Sequence, residues 1–102
     1  MDMTVTQNGS HACFEIRGDI DEPGAERLKS RFRQLNISSL SQVTFDFEKV
    51  THIGSAGIGK FLLFYKDLAL KGGKIRIENV SDSIYELFNV LKLETIFTIS
   101  GK

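Results

Sequence analysis

The sequence predicts an α/β domain in which a mixed sheet of about five strands carries crossover helices mostly on one face. Three observations predict it. Ala12, Phe14 and Ile16 alternate with Cys13, Glu15 and Arg17. Val43, Phe45 and Phe47 alternate with Thr44, Asp46 and Glu48, and Ile75 and Ile77 with Lys74, Arg76 and Glu78. This period of two belongs to strands with one wet face. Between these segments the apolar period lengthens to that of a helix. Finally, the first two strand candidates are separated only by Gln7-Asn8-Gly9-Ser10, whose Asn-Gly pair favours the positive φ of a hairpin turn. That pair is therefore antiparallel, while helical crossovers make the remaining neighbours parallel.

In chain order, a weak strand over Met3–Thr6 leads through the turn into the Ala12 strand. Pro23 suits the first turn of a helix in which Ala25, Leu28, Phe32 and Leu35 share one side, opposite a surface of Glu26, Arg27, Lys29, Arg31 and Arg33. A second helix follows the Val43 strand, with Ile58, Phe61, Leu62, Tyr65, Leu68 and Ala69 along one side and its core face centred on Ile58, Leu62, Tyr65 and Ala69. That centring leaves Leu63 and Leu70 well off the face and Phe64 at its margin, so part of this apolar surface is expected to meet solvent or a partner. Gly72-Gly73 ends the helix. A third helix is expected from about Ser81 to Leu91, with Ile84, Leu87, Phe88 and Leu91 facing inward and Ser83 and Glu86 at capping-box spacing. Thr95–Ile99 reads as a last strand. The resulting order is ββαβαβαβ, without repeats, low-complexity segments or a dividing linker, and residues 1–102 are expected to form one domain.

Composition narrows the function. In 102 residues, 13 Lys and Arg balance 13 Asp and Glu, so there is no net field to hold nucleic acid or an anionic membrane surface. Residues 1–11 show neither a basic start nor an apolar leader core, and no run reaches spanning length; a cytoplasmic location is expected. The single cysteine, Cys13, excludes a disulfide framework and reads as a small buried hydrophobe.

The chemically suggestive stretch is His52-Ile53-Gly54-Ser55-Ala56-Gly57-Ile58-Gly59-Lys60, where a strand pattern gives way to a helix pattern and backbone N–H groups favour an anion. Gly54 to Lys60 fits G-x-x-x-x-G-K. The nucleotide reading fails at Phe61, which stands where a hydroxyl should hold Mg²⁺. Two readings of Ser55 remain: a helix N-cap, or a hydroxyl presented for phosphorylation. Asp19, Asp21 and Glu22 form an acidic turn, read either as cap chemistry or as a binding surface. His11 and His52 have no metal-ligand spacing, no catalytic triad stands out, and neither cofactor nor enzymatic activity is expected.

The order of three motifs resembles the STAS domain of sulfate transporters and anti-sigma factor antagonists. These are Gly18-Asp19-Ile20-Asp21; Val43 to Ile53 running into Gly54-Ser55-Ala56-Gly57-Ile58; and Gly72-Gly73 leading through Lys74 to Val80. The likeness covers about Thr4 to Ile99 and is strongest to stand-alone anti-sigma factor antagonists. It implies a partner-switching protein that binds an anti-sigma factor doubling as a serine kinase, with a phosphatase as a further partner. By motif position Ser55 is then the phosphoacceptor, and Gly54 stands where the family loop usually has an acid. Asp21, Gly54, Ala56, Gly57, Ile58, Lys60, Leu63 and Phe64 make up the expected partner-binding surface. The alternative is an adaptor subunit of a signalling or lipid-transport complex, never phosphorylated. Family members often carry one more helix after the final strand, and pairing with a second copy is a further expectation for uncovered apolar surface.

Overall fold

The computed structural model describes residues 1–102. Strands β1 (Asp2–Asn8) and β2 (His11–Ile20) form an antiparallel hairpin. Then come α1 (Glu22–Arg33), β3 (Gln42–Ile53), α2 (Ser55–Ala69), β4 (Lys74–Val80), α3 (Asp82–Val90) and β5 (Thr98–Gly101). The five strands lie side by side in chain order, parallel from β2 onward. Because each crossover advances one position in the same direction and such connections are right-handed, all three helices fall on one face of the sheet.

The strand periodicity follows from that layering. Phe14, Ile16, Val43, Phe45, Ile75 and Ile77 point under the helices and are buried, while on the open face Arg17 pairs with Glu15 along β2 and Arg76 with Glu78 along β4. In β3 the buried positions change from every second residue to every third: Phe47, Val50, Ile53. Two register shifts against β2, at Glu15/Arg17 and Gly18/Asp19, explain this, since each puts an extra β3 residue into the pairing. Asp46 supports the first bulge by accepting from the Glu48 N–H (2.9 Å) and from Asn79 Nδ2 (3.0 Å). The bulges carry β3 far enough to set Ile53 beside Ile20, the last residue of β2.

Several expectations shift. The hairpin turn consists of Gly9 and Ser10, because Asn8 still pairs with His11 and only Gly9 has positive φ. Helix α3 is capped by Ser81, whose oxygen accepts from the Ile84 N–H, rather than by Ser83; Leu91 lies beyond the helix and exposed. The last strand starts at Thr98, because residues 93–95 form a 3₁₀ turn and the Phe97 N–H returns to the Leu93 carbonyl. Cys13 is exposed on the open face, not buried. Partial desolvation, then the carboxylates of Asp46, Glu78 and Glu15, push its thiol pKa up, which disfavours the nucleophilic thiolate.

The largest correction concerns α2. Phe61 and Leu68 are buried as expected, but the other buried residues are Gly57 and Phe64, so the core face is turned away from the expected centre, and Leu62 and Ala69 are exposed. Gly57 sets this rotation. A Cβ there would lie 2.6 Å from Ile20 Cγ2 and 3.1 Å from Ile53 Cγ1, so only glycine allows the first turn of α2 to approach the strand ends so closely. Phe64 is consequently 4% exposed rather than marginal, and stacks on Phe32 of α1 with ring centroids 4.2 Å apart at 15°. No helix is long and apolar enough to cross a membrane.

Candidate functional site

Pairing of Ile20 with Ile53 brings two helix starts together at one end of the sheet. The Gly54 N–H donates to the Ile20 carbonyl at 3.1 Å, tying the start of α2 to the residue just before Asp21. Nearby, the Thr51 hydroxyl donates to Asp19 Oδ1, and His52 sits opposite Asp19 in the ladder. Asp19, Asp21, His52 and Ser55 are all exposed.

Asp21 is the N-cap of α1. Its Oδ1 accepts from the Gly24 N–H at 2.9 Å, and its carbonyl accepts from Ala25 at 2.8 Å. Cap chemistry is thus observed for this residue, and its exposure leaves the second carboxylate oxygen free for a contact. Ser55 differs from its capping expectation. The N-cap of α2 is Gly54, which has no side chain to offer, and Ser55 is the first helical residue, with a hydroxyl that makes no hydrogen bond to the protein. The first bond within the helix runs from the Ile58 N–H to the Gly54 carbonyl at 3.1 Å. The N–H groups of Ser55, Ala56 and Gly57 therefore have no helical partner and no capping oxygen. An exposed hydroxyl beside three open donors at the positive end of a helix can carry a phosphate with little strain.

The G-x-x-x-x-G-K stretch is helical from Ser55 onward rather than a loop wrapped around phosphates, and Phe61, its failing position, is buried. No group of His, Cys, Asp and Glu is placed to hold a metal ion.

The other expected binding residues divide. Gly54 and Ala56 are partly exposed beside Ser55, and Ile58 packs by one side on the core. Lys60 reaches Glu26 of α1 at 3.7 Å. Leu63 is 58% exposed, as expected of a contact residue. Gly57 and Phe64 are buried, so neither offers a free surface; they shape the site by fixing where α2 lies. The sequence reading missed Leu62, which joins Leu63 and Leu70 on the outer side of α2. It also missed a groove between α1 and α2, because a space between two helices leaves no mark on either helix's periodicity.

Residues 2–102 match the model of the STAS domain. The chain belongs to the STAS domain family. Among curated proteins it is similar to the anti-sigma-B factor antagonist of Bacillus subtilis, 28% identical over 102 residues, covering all of this chain and 93% of that protein. The anti-sigma-B factor antagonist of Listeria monocytogenes is 24% identical over 91 residues, covering 89% and 80%. Among solved structures, an anti-sigma factor antagonist from Mycobacterium paratuberculosis superposes with a TM-score of 0.84 at 17% identity, over 99% of this chain and 86% of that one. The phosphorylated form of the Bacillus cell-fate determinant SpoIIAA gives 0.78 at 15%, over 99% and 93%. At those identities the solved structures establish the fold: five strands, the first pair antiparallel, and helices on one face.

Proposed function

We propose that this chain is an anti-sigma factor antagonist working by partner switching. Unphosphorylated, it binds an anti-sigma factor and thereby frees a sigma factor; phosphorylated on Ser55, it lets go. The partner is a serine kinase, so the γ-phosphoryl of its ATP passes to Ser55 Oγ, ADP leaves and the hydroxyl proton is lost. This chain is the substrate, needs no nucleotide of its own, and acts in the cytoplasm.

The observation that carries the reading is Ser55 itself: exposed, at the first position of α2, its hydroxyl unengaged. The names of the similar antagonists support the same reading. A phosphate there adds a charge of about −1.5 to −2 that the helix start accommodates, so the fold survives modification. A partner covering the site would have to desolvate that charge, and binding weakens. The test is affinity for the anti-sigma factor together with mass spectrometry of the native protein. Ser55→Ala should bind and resist phosphorylation, and Ser55→Asp should bind at least about tenfold more weakly, ~1.4 kcal/mol. Unmodified Ser55 under all growth conditions, with binding indifferent to Ser55→Asp, would sink the switch.

One observation favours the adaptor reading. Gly54 has φ −93°, and a Cβ there would come no nearer than 3.9 Å to its closest neighbour, the Ile20 carbonyl oxygen. The backbone does not require glycine where the family usually has an acid. In a constitutive adaptor the acid would simply not be needed, and the same mass-spectrometric result would favour it.

A further inference from the structure

The groove between α1 and α2 has a volume of about 340 Å³ and an apolar interior. The stacked rings of Phe32 and Phe64 form its floor, Leu35 and Ile37 line one wall, and Leu63 stands exposed at its lip. Its rim is unbalanced in charge: Lys29, Arg33 and Lys60 face a single acid, Asp67. Lys60 is partly satisfied by Glu26, whereas Lys29 and Arg33 make no ion pair. These two lie four residues apart on α1 and so project from one face, one turn apart. Two cations at that spacing match two carboxylates a turn apart on a neighbouring helix. Apolar surface also continues outside the groove through Leu70, which is seven residues on from Leu63, lies on the same side of α2 and is exposed. That is more than a molecule lodged in the groove would cover, and it favours a macromolecular occupant.

We infer that this groove receives an acidic amphipathic helix of the protein partner. One apolar side chain fills the space above Phe32 and Phe64, further apolar residues lie over Leu63 and Leu70, and carboxylates meet Lys29 and Arg33. This is helix-in-groove recognition with the charge supplied by α1. It deepens the partner-switching reading, on which it rests only for the identity of the partner.

Two arms test it. In the first, the isotope-labelled chain is titrated by NMR with an amidated helical peptide of about five turns that carries leucines on one face and flanking glutamates. A twin has lysines in place of the glutamates. Shifts should centre on the groove, the twin should bind at least about tenfold more weakly, and the K29E/R33E double variant should invert the preference. Equal binding of the twins, or shifts elsewhere, would overturn the proposal. So would saturation of the groove by decanoate at micromolar concentration while neither peptide binds, since the site would then belong to a small amphiphile. In the second arm, K29E/R33E and Ser55→Asp are compared for anti-sigma factor affinity, with circular dichroism as the fold control. Loss of at least tenfold by K29E/R33E, with restoration by acid-to-lysine changes in the partner, supports the groove even where Ser55→Asp is silent and the switch fails. Loss by Ser55→Asp alone removes the groove and leaves the switch.

Discussion

Two helices begin side by side at the same end of the sheet, and they begin differently. At α1, Asp21 supplies a capping oxygen to Gly24, Pro23 has no N–H to satisfy, and only the Glu22 donor stays open. At α2, the cap is a glycine, and the donors of Ser55, Ala56 and Gly57 all stay open. The backbone problem is the same and the solutions are opposite. A finished helix start contributes stability and repels added anions, because a carboxylate already occupies it. An unfinished one contributes less and leaves a place where a negative group is stabilised when it arrives. The contrast supports the proposed role of Ser55 on physical grounds independent of motif order: the chain withholds a cap at the one helix start that carries an unengaged hydroxyl.

The contrast holds only while α1 and α2 form one packed unit, so the severest way to break it is through the stack beneath. Phe64→Ala removes the ring that lies on Phe32 at 4.2 Å and should cost about 3–5 kcal/mol. Denaturant unfolding should show it, and hydrogen exchange should show protection lost in both helices together; loss confined to α2 would mean that the two starts are independent. Next, Gly57→Ala forces a methyl against Ile20 and Ile53 and should cost about 1–3 kcal/mol. Its α2 start should also move off the strand ends, seen as shifts in the Ile20 and Ile53 methyl resonances. If the melting temperature is unchanged, the close approach does not fix where Ser55 sits. A smaller effect separates the two roles of Asp21. Asp21→Ala should lose about 1 kcal/mol with the cap, while Asp21→Asn, still a capping side chain, should keep most of that stability. If Asp21→Asn also binds the anti-sigma factor as the parent does, the carboxylate's charge has no part in docking.

Much of this was legible in the sequence, and the failures share a cause. The strands, their pairing sense and the one-sided helical layer follow from a period of two and from turn chemistry, both of which are local. The phase of α2 was not legible. Its apolar residues run almost all round, with Ile58, Leu62, Tyr65 and Ala69 drawing the apparent face outward, and the residue that decides the phase is Gly57, which carries no hydrophobicity. Closest approach belongs to the smallest side chain, and a hydrophobic pattern cannot see it. Of the two readings left open for Ser55, the capping one fails for a related reason. A serine at a strand-to-helix junction reads as N-cap, but the bulges in β3 and the bond from Gly54 to Ile20 place the cap one residue earlier. Ser81 and Ser83 repeat the lesson in α3, where two serines compete and backbone geometry selects the first.

The smallest stability effect tests the contrast most directly. Gly54 is extended, as N-caps usually are, and has room for a side chain, so Gly54→Asp should fold unchanged and gain a few tenths of a kcal/mol by capping α2 as Asp21 caps α1. The informative quantity is its coupling to phosphorylation. In the parent chain a phosphate on Ser55 meets open donors and should raise the melting temperature slightly. In G54D the carboxylate already holds one of those donors and opposes the phosphate's charge, so the same modification should raise it less or lower it. A double-mutant cycle over Gly54→Asp and phosphorylation, read by calorimetry, measures this non-additivity. Additive effects would mean that the phosphate never uses the open donors of α2, and that the missing cap is unrelated to Ser55.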